Sequence, residues 1–365
     1  MDNTIITPPD IQQENIFKVK FMQRGLKRGS SAEQFIRQFP LSYPQWGNCH
    51  FDFDVDCREY DWLVVYQDIP KDTSYLSEEK LACPREKTML ITGEPSSITV
   101  FGTDYIRQFG CILTFQEPWA MRHPNVIYHH PGLMWFYGMP FGEGEYVTWD
   151  QMAAMEPMMK TRSISTVCSE RSGKTTLHSD RVNFTWRLKE DMESLDIFGH
   201  GVKTMIDKAE ALDPYKYHIA IENHVYTHHI TEKLPDAFLG FSLPFYHGAP
   251  NANEYFPKES FIPIDINDYE RSRDIIRSHI ANNEYEDRLP YILEARKHVL
   301  EKQNLFAIIN DMITSQDREI TTSTFGKVIR DRQTVRIKNP LAGIRSLTEK
   351  TATKIYHRFK STRHK

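Results

Sequence analysis

Between Ser163 and Gly248 short apolar runs alternate with stretches of helical character, and few folds accommodate that alternation. ISTVCS from Ile164, LDIFGH from Leu195, YHIAIEN from Tyr217 and SLPFYHG from Ser242 have the length and β-branched or aromatic content of buried strands. Between them lie SDRVNFTWRLKEDM, predicted helical from the capping residue Ser179, a second helix from about Val202 to Ala211, and THHITEKLPDAFLGF, a loop entering a helix. Strands joined by helical crossovers form a parallel, doubly wound α/β sheet. Upstream, WLVVYQDI from Trp62 and MLITGE from Met89 also read as buried strands, and CILTFQEP follows from Cys111. Residues 18 to 38 are predicted helical, and helical pattern returns from about Tyr269 to Asp311, with Pro290 able to start a new helix. The stretch HPNVIYHHPGLMWFYGMPFGEGEYVTW is too apolar for a linker and reads as a binding loop or cleft wall. A chain of 365 residues, 40% apolar, suits two domains better than one core.

Charge is unevenly placed. The last 39 residues hold 12 Lys or Arg against two acids, which leaves 33 bases and 47 acids for the other 326. An acidic body with a basic tail gives the tail its own expected partner, most simply an anionic membrane surface. Within it Leu341, Ile344, Leu347, Ile355 and Phe359 recur at roughly helical spacing among Arg345, Lys350, Lys354 and Arg358. A flexible, solvated tail is the competing reading; nucleic acid is not expected, for want of stacking motifs and because the body is acidic. Five scattered cysteines without a CxxC pair read as free thiols. With no basic start followed by an apolar run, and no run of eighteen apolar residues, the expectation is a cytoplasmic protein, soluble or peripheral on the inner face of the membrane.

The segment YKYHIAIENHVYTHHITEKLPDAFLGFSLPFYHGAPNANEYFPKESFIPI, residues 215 to 264, carries most of the chemistry. A strand that ends and turns into a helix presents backbone N–H groups and a partial positive charge to a crevice, where a diphosphate can sit. Lys233 adds a full charge there, and Asn223 can bond sugar or phosphate oxygens. The segment resembles the donor-binding stretch of family 10 glycosyltransferases, the α-1,3/1,4-fucosyltransferase family, in Glu222 and Asn223, in the run from Ile230 to Leu234, in Pro244 and Gly248, and in Pro257, Ser260, Phe261 and Ile262. His229 stands where that family usually has tyrosine. SDRVNFTWRLKE followed by LDIFGHG resembles the family's helix opened by a diphosphate-gripping arginine, which puts Arg181 in that role, with Arg171 or Lys174 as substitutes. MLITGEPSS resembles the strand end that bears the family's general base, which puts Glu94 there and leaves Glu232 in reserve.

The resemblance implies a GT-B-like architecture: two Rossmann-like domains facing a cleft, with an acceptor-side domain over 1–158, a donor domain over 159–325 and a basic helical tail over 326–365. It further implies an inverting transfer of a sugar, L-fucose from GDP-fucose above all, to a hydroxyl of an acceptor oligosaccharide. Glu94 would act as base and Glu222, Asn223, His229, Lys233 and Arg181 would bind the donor. No metal cofactor is required, a divalent cation being at most stimulatory. Another nucleotide sugar, or a non-catalytic glycan-binding protein on the same fold, remains the alternative.

Three other patterns compete. FDFDVD puts Asp52, Asp54 and Asp56 at alternating positions, on one face if the segment is a strand, where they could hold a cation or merely face solvent. SERSGKTT lacks the first glycine of a phosphate-binding loop, Cys168 standing in its place. The histidines 129, 130, 224, 228 and 229 show no HExxH spacing.

Overall fold

A computed structural model describes residues 16–29, 31–70, 76–169, 178–316 and 328–362. Its first half is built on β1 (Phe17–Gln23), β2 (Gln45–Trp46), β3 (Cys49–Asp52), β4 (Trp62–Tyr66), β6 (Thr88–Ile91), β7 (Cys111–Thr114) and β8 (Val126–Tyr128), ordered β2-β3-β1-β4-β6-β7-β8. All neighbours are parallel except β2 and β3. β5 (Glu78–Lys80) stands apart from this sheet. The helix expected over residues 18 to 38 is replaced by β1, a central strand, and one short helix, α1 (Glu33–Ile36). The physical reason is a period of two: Val19 and Phe21 enter one apolar core while Lys20 and Met22 point the other way, Met22 into the core on the opposite face.

Lys20 is fully buried among those apolar residues, and its ammonium donates to Glu79 Oε1 at 2.8 Å and to the carbonyls of Val55 and Cys57 at 2.9 Å each. Tyr60 and Arg58 donate to the same carboxylate. Glu79→Ala strands the Lys20 charge in the interior, and is expected to lower unfolding stability by about 3–5 kcal/mol. Comparing urea midpoints of the two proteins checks this, and a loss under about 1 kcal/mol would show that the buried ammonium does not depend on Glu79.

The second sheet, with β9 (Arg162–Val167), β10 (Leu195–Phe198), β11 (Tyr215–Ile221), β12 (Leu243–His247) and β13 (Ile262–Pro263), is wholly parallel in the order β10-β9-β11-β12-β13. Every strand expected between Ser163 and Gly248 is present. The helices of this half are α4 (His178–Asp191), α5 (Lys233–Leu239), α6 (Tyr269–Ala281) and α7 (Glu284–Leu300); α2 (Thr103–Ile106) and α3 (Trp149–Ala154) precede them. The helix expected from Val202 to Ala211 shrinks to one 3-10 turn, Lys208–Ala211, because Gly199 and Gly201 hold φ of 140° and 88° and Asp207 caps a late start. Gly199 is also required by a close approach, since a Cβ there would lie 2.6 Å from the Cys168 carbonyl oxygen. Pro290 does not start a helix: Asn283, left-handed at φ 54°, breaks α6 from α7, and Pro290 lies inside α7.

After α7 the chain crosses back. α8 (Leu305–Gln316) packs Phe306, Ile309 and Ile313 into the core of the first sheet, where Phe306 stacks on Phe39 at 4.1 Å. β14 (Val328–Arg330) pairs antiparallel with β5, and α9 (Arg332–Lys338) and α10 (Pro340–Thr362) continue over the first half. The tail is thus helical, as its spacing predicts. α10 docks through Arg345 on Asp104 at 2.6 Å and through Glu349, which accepts from Thr103 Oγ1 at 2.6 Å. Leu341, Ile344, Leu347, Ile355 and Phe359 remain on its exposed side. None of the five cysteines is joined in a disulfide. Among the described residues no helix is long and apolar enough to cross a membrane.

Candidate donor and acceptor site

Parallel sheets gather their loops at the C-terminal strand ends, and here the loop after β7 of one sheet, bonded to the loop after β6, meets the loop after β11 of the other. On the second sheet's side lies a cavity of about 500 Å³, within the range of small-molecule sites. Its walls include Arg181, Asn223, Glu232 and Lys233, four of the seven residues that the sequence singles out.

Arg181 is the fourth residue of α4, nearly buried, and donates from Nη1 to Asn223 Oδ1 at 2.9 Å. Its Nε has no partner among the described residues, so a fixed guanidinium keeps donor capacity for a ligand. Lys233 begins α5 and reaches Thr231 Oγ1 at 2.9 Å, Glu232 Oε1 at 3.0 Å and Glu222 Oε2 at 3.4 Å. Burial opposes its charge, but Glu232 and Glu222 outweigh burial and hold it firmly protonated. Glu232 is the mirror case: burial disfavours the anion, yet Lys233 and then Lys208 keep its pKa far below the ordinary carboxylate range.

Glu222 and His229 stand behind this wall instead of in it. Glu222, with no exposed surface, accepts from the Thr231 backbone N–H at 2.8 Å and hydroxyl at 2.5 Å, so it fixes the turn that carries Lys233. His229 packs on Phe115 of the facing sheet, ring centroids 4.6 Å apart, and neither ring nitrogen has a partner among the described residues. Burial, with His224 and Lys233 adding to it, lowers its pKa to about 3. Glu94 follows β6 across the cleft. Its pKa is raised by burial and then by the negative charge of Glu232, with Lys233 opposing, so Glu94 lies within electrostatic reach of the cavity wall that carries those two residues. Gln116 Nε2 pins its backbone carbonyl at 2.6 Å.

Sequence reasoning missed Lys208 and Asp236, which also line the cavity. Lys208 pairs with Asp236 at 2.8 Å and approaches Glu232 at 3.7 Å, while Asp236 accepts the backbone N–H groups of Phe136 and Tyr137 and so ties α5 to the irregular wall loop. A usable signal existed in KLPDAFLGF, where one acid sits inside an otherwise apolar helix.

The competing patterns resolve differently. β3 ends at Asp52, and the backbone N–H groups of Asp54 and Asp56 donate to Asp52 and Asp54 two residues earlier, so the three aspartates form successive turns instead of one strand face. Asp56 is engaged by Arg28. His129 and His130 lie in a loop with rings 4.2 Å apart, both against Tyr255. No group of three or more His, Cys, Asp or Glu able to hold a metal occurs among the described residues. Arg171, Lys174 and most of SERSGKTT lie outside the described residues.

Residues 157–287 match the family model described as glycosyltransferase family 10 (fucosyltransferase) C-term. An alpha-(1,3)-fucosyltransferase FucT of Helicobacter pylori is 32% identical over 93 residues, 25% of this chain and 19% of that protein. A 4-galactosyl-N-acetylglucosaminide 3-alpha-L-fucosyltransferase of Gorilla gorilla gorilla is 31% identical over 104 residues, 27% of each chain. The matches thus span about a fifth to a quarter of these relatives. In fold, the chain is similar to a crystal structure of an alpha1,3-fucosyltransferase at a TM-score of 0.51 and 15% identity, covering 88% of this chain and 95% of that one. Two largely parallel sheets with loops converging on a cleft give the chain its GT-B architecture, and its residues 157–287 are similar to the C-terminal domain of glycosyltransferase family 10.

Proposed function

We propose that the protein is an inverting glycosyltransferase that moves L-fucose from GDP-fucose to a hydroxyl of an acceptor glycan, such as an N-acetylglucosamine-containing surface oligosaccharide. The observation that carries this reading is the pairing of Arg181 with Asn223 beside Lys233 in one cavity, with the Glu94 carboxylate across the cleft. As the sugar leaves, negative charge grows on the diphosphate, and fixed cations stabilise that state more than the bound donor. Glu94 takes the acceptor proton as its oxygen attacks the anomeric carbon; one base and one displacement invert the configuration. Charge neutralisation by Arg181 and Lys233 makes a metal unnecessary. The family resemblance, not the cavity, supplies fucose and guanine. The protein works in the cytoplasm, with the exposed apolar side of α10 and its basic residues resting on the inner membrane surface.

Thermal shift against a panel of nucleotide sugars, in excess EDTA, tests the donor assignment. GDP and GDP-fucose should raise the melting temperature, by several degrees at about 100 times Kd, since such binding adds about 2.7 kcal/mol. UDP-sugars should not. The reverse order, or a shift that appears only with added divalent cation, would overturn the assignment.

A further inference from the structure

The acceptor end of the cleft holds a polar network that none of the donor-binding residues explains. Ser96, two residues beyond Glu94, donates to Glu117 Oε2 at 2.5 Å and lies 2.8 Å from the His357 Nε2 of α10. Glu117, from the loop after β7, turns its other oxygen to His224, the residue after Asn223, at 3.6 Å, beyond hydrogen-bond reach. Ser96 and Glu117 are 1% and 3% exposed. The network therefore joins three strand-end loops from both sheets to the C-terminal helix.

Its atoms are satisfied on one side only. The Trp119 indole N–H and both nitrogens of His229 have no hydrogen-bond partner among the described residues, and Glu117 Oε1 meets only the more distant His224 there. Isolated polar atoms of this kind are rare in a folded interior and mark a place where another polar group belongs. Here an acceptor oxygen, an indole donor and a neutral imidazole lie on the loops that follow β7 and β11, and Trp119 packs on Tyr356 of α10 with ring centroids 4.4 Å apart, an aromatic pair at the edge of the network. Acids and imidazoles that bond hydroxyls, with aromatic surface for an apolar ring face, match the chemistry of a pyranose.

We propose that α10 is a wall of the acceptor subsite, and that His357 is a positioning residue which, through Ser96, holds Glu117 for the hydroxyls of an incoming sugar. The helix thus has two working sides: one carries the exposed Leu341, Leu347 and Phe359, while the other brings His357 to Ser96 and the half-exposed Tyr356 to Trp119. This rests on the proposed reading of the cleft as a transferase site, but makes a separate demand, that the tail governs acceptor affinity and not donor affinity.

The test is a tryptophan-fluorescence titration of the full-length protein with the disaccharide 4-galactosyl-N-acetylglucosaminide, and a parallel titration with GDP. His357→Ala should raise the disaccharide Kd about tenfold, the effect of losing one positioned hydrogen bond. His357→Gln, whose amide can still meet Ser96, should recover most of the affinity, and GDP affinity should be equal in all three proteins. Ser96→Ala provides the same break from the other side if the His357 variants fold poorly. Equal disaccharide affinity in wild type and both disrupting variants, no disaccharide binding by the wild type, or a parallel fall in GDP affinity would overturn the proposal. Failure of GDP to bind any of the proteins would instead sink the transferase reading, while the disaccharide titration still decides the role of α10.

Discussion

Arg181→Ala is expected to lower kcat/KM by about 10³-fold, the scale seen when a preorganised donor to a developing anion is removed. The guanidinium is nearly buried, oriented by Asn223 and has an Nε without a partner among the described residues, so the fold has already met the cost of desolvating and aiming it. Lysine is not an adequate replacement, because a point charge on a flexible stem cannot hold the Asn223 bond and a phosphate oxygen in one plane. Arg181→Lys should therefore recover only a small part of the loss. Steady-state kinetics with GDP-fucose, with circular dichroism to confirm folding, checks the pair; a loss under threefold in the alanine variant would exclude Arg181 from stabilising the leaving diphosphate. Asn223 gives a useful contrast, since its removal frees the guanidinium without deleting it.

Glu94→Gln should slow transfer by about 10²–10⁴-fold while leaving GDP affinity unchanged, since a general base contributes on that scale and Glu94 does not line the donor cavity. Its raised pKa gives a second signature. Burial and the Glu232 charge favour the protonated form, and a base works only when deprotonated. Activity should thus fall as pH drops through the Glu94 pKa, along an acid limb displaced upward from that of an ordinary glutamate, and that limb should vanish in the glutamine variant. Glu232 makes a poor base by comparison: Lys233 and Lys208 outweigh its burial and hold it as a stable anion, which fits a role in fixing those two cations. A Glu232→Gln protein that loses the acid limb while Glu94→Gln retains it would reverse the two assignments.

The second sheet and its cavity were legible because their residues sit where local sequence and topology coincide. Each of the strands ISTV, LDIF, HIAI and LPFY is an apolar run bounded by polar residues, and a parallel sheet places Asn223 and Lys233 at one edge with no need of long-range information. The first half was harder to read. β1 carries a charge, Lys20, in its buried centre, and a lysine satisfied by Glu79 fifty-nine residues away looks on paper like the polar face of a helix. The lost helix before Ala211 and the misplaced break at Pro290 were decided by left-handed backbone at Gly201 and Asn283, for which only the glycine is a reliable sequence cue. Glu222 was legible as important and misleading as to why: it sits in the recognised EN pair, yet its carboxylate faces Thr231 and Lys233. The Ser96, Glu117 and His357 contacts join residues up to 261 positions apart, which no local pattern can announce.

Transfer of a sugar from a guanine nucleotide in a single displacement is tested most directly by the product itself. The protein is incubated with GDP-fucose and 4-galactosyl-N-acetylglucosaminide, and the anomeric proton of the product is read by NMR. The expected product is a fucosylated disaccharide whose anomeric configuration is opposite to that of the donor, formed with release of GDP. A product of retained configuration, or donor binding without any transfer, would contradict the single displacement.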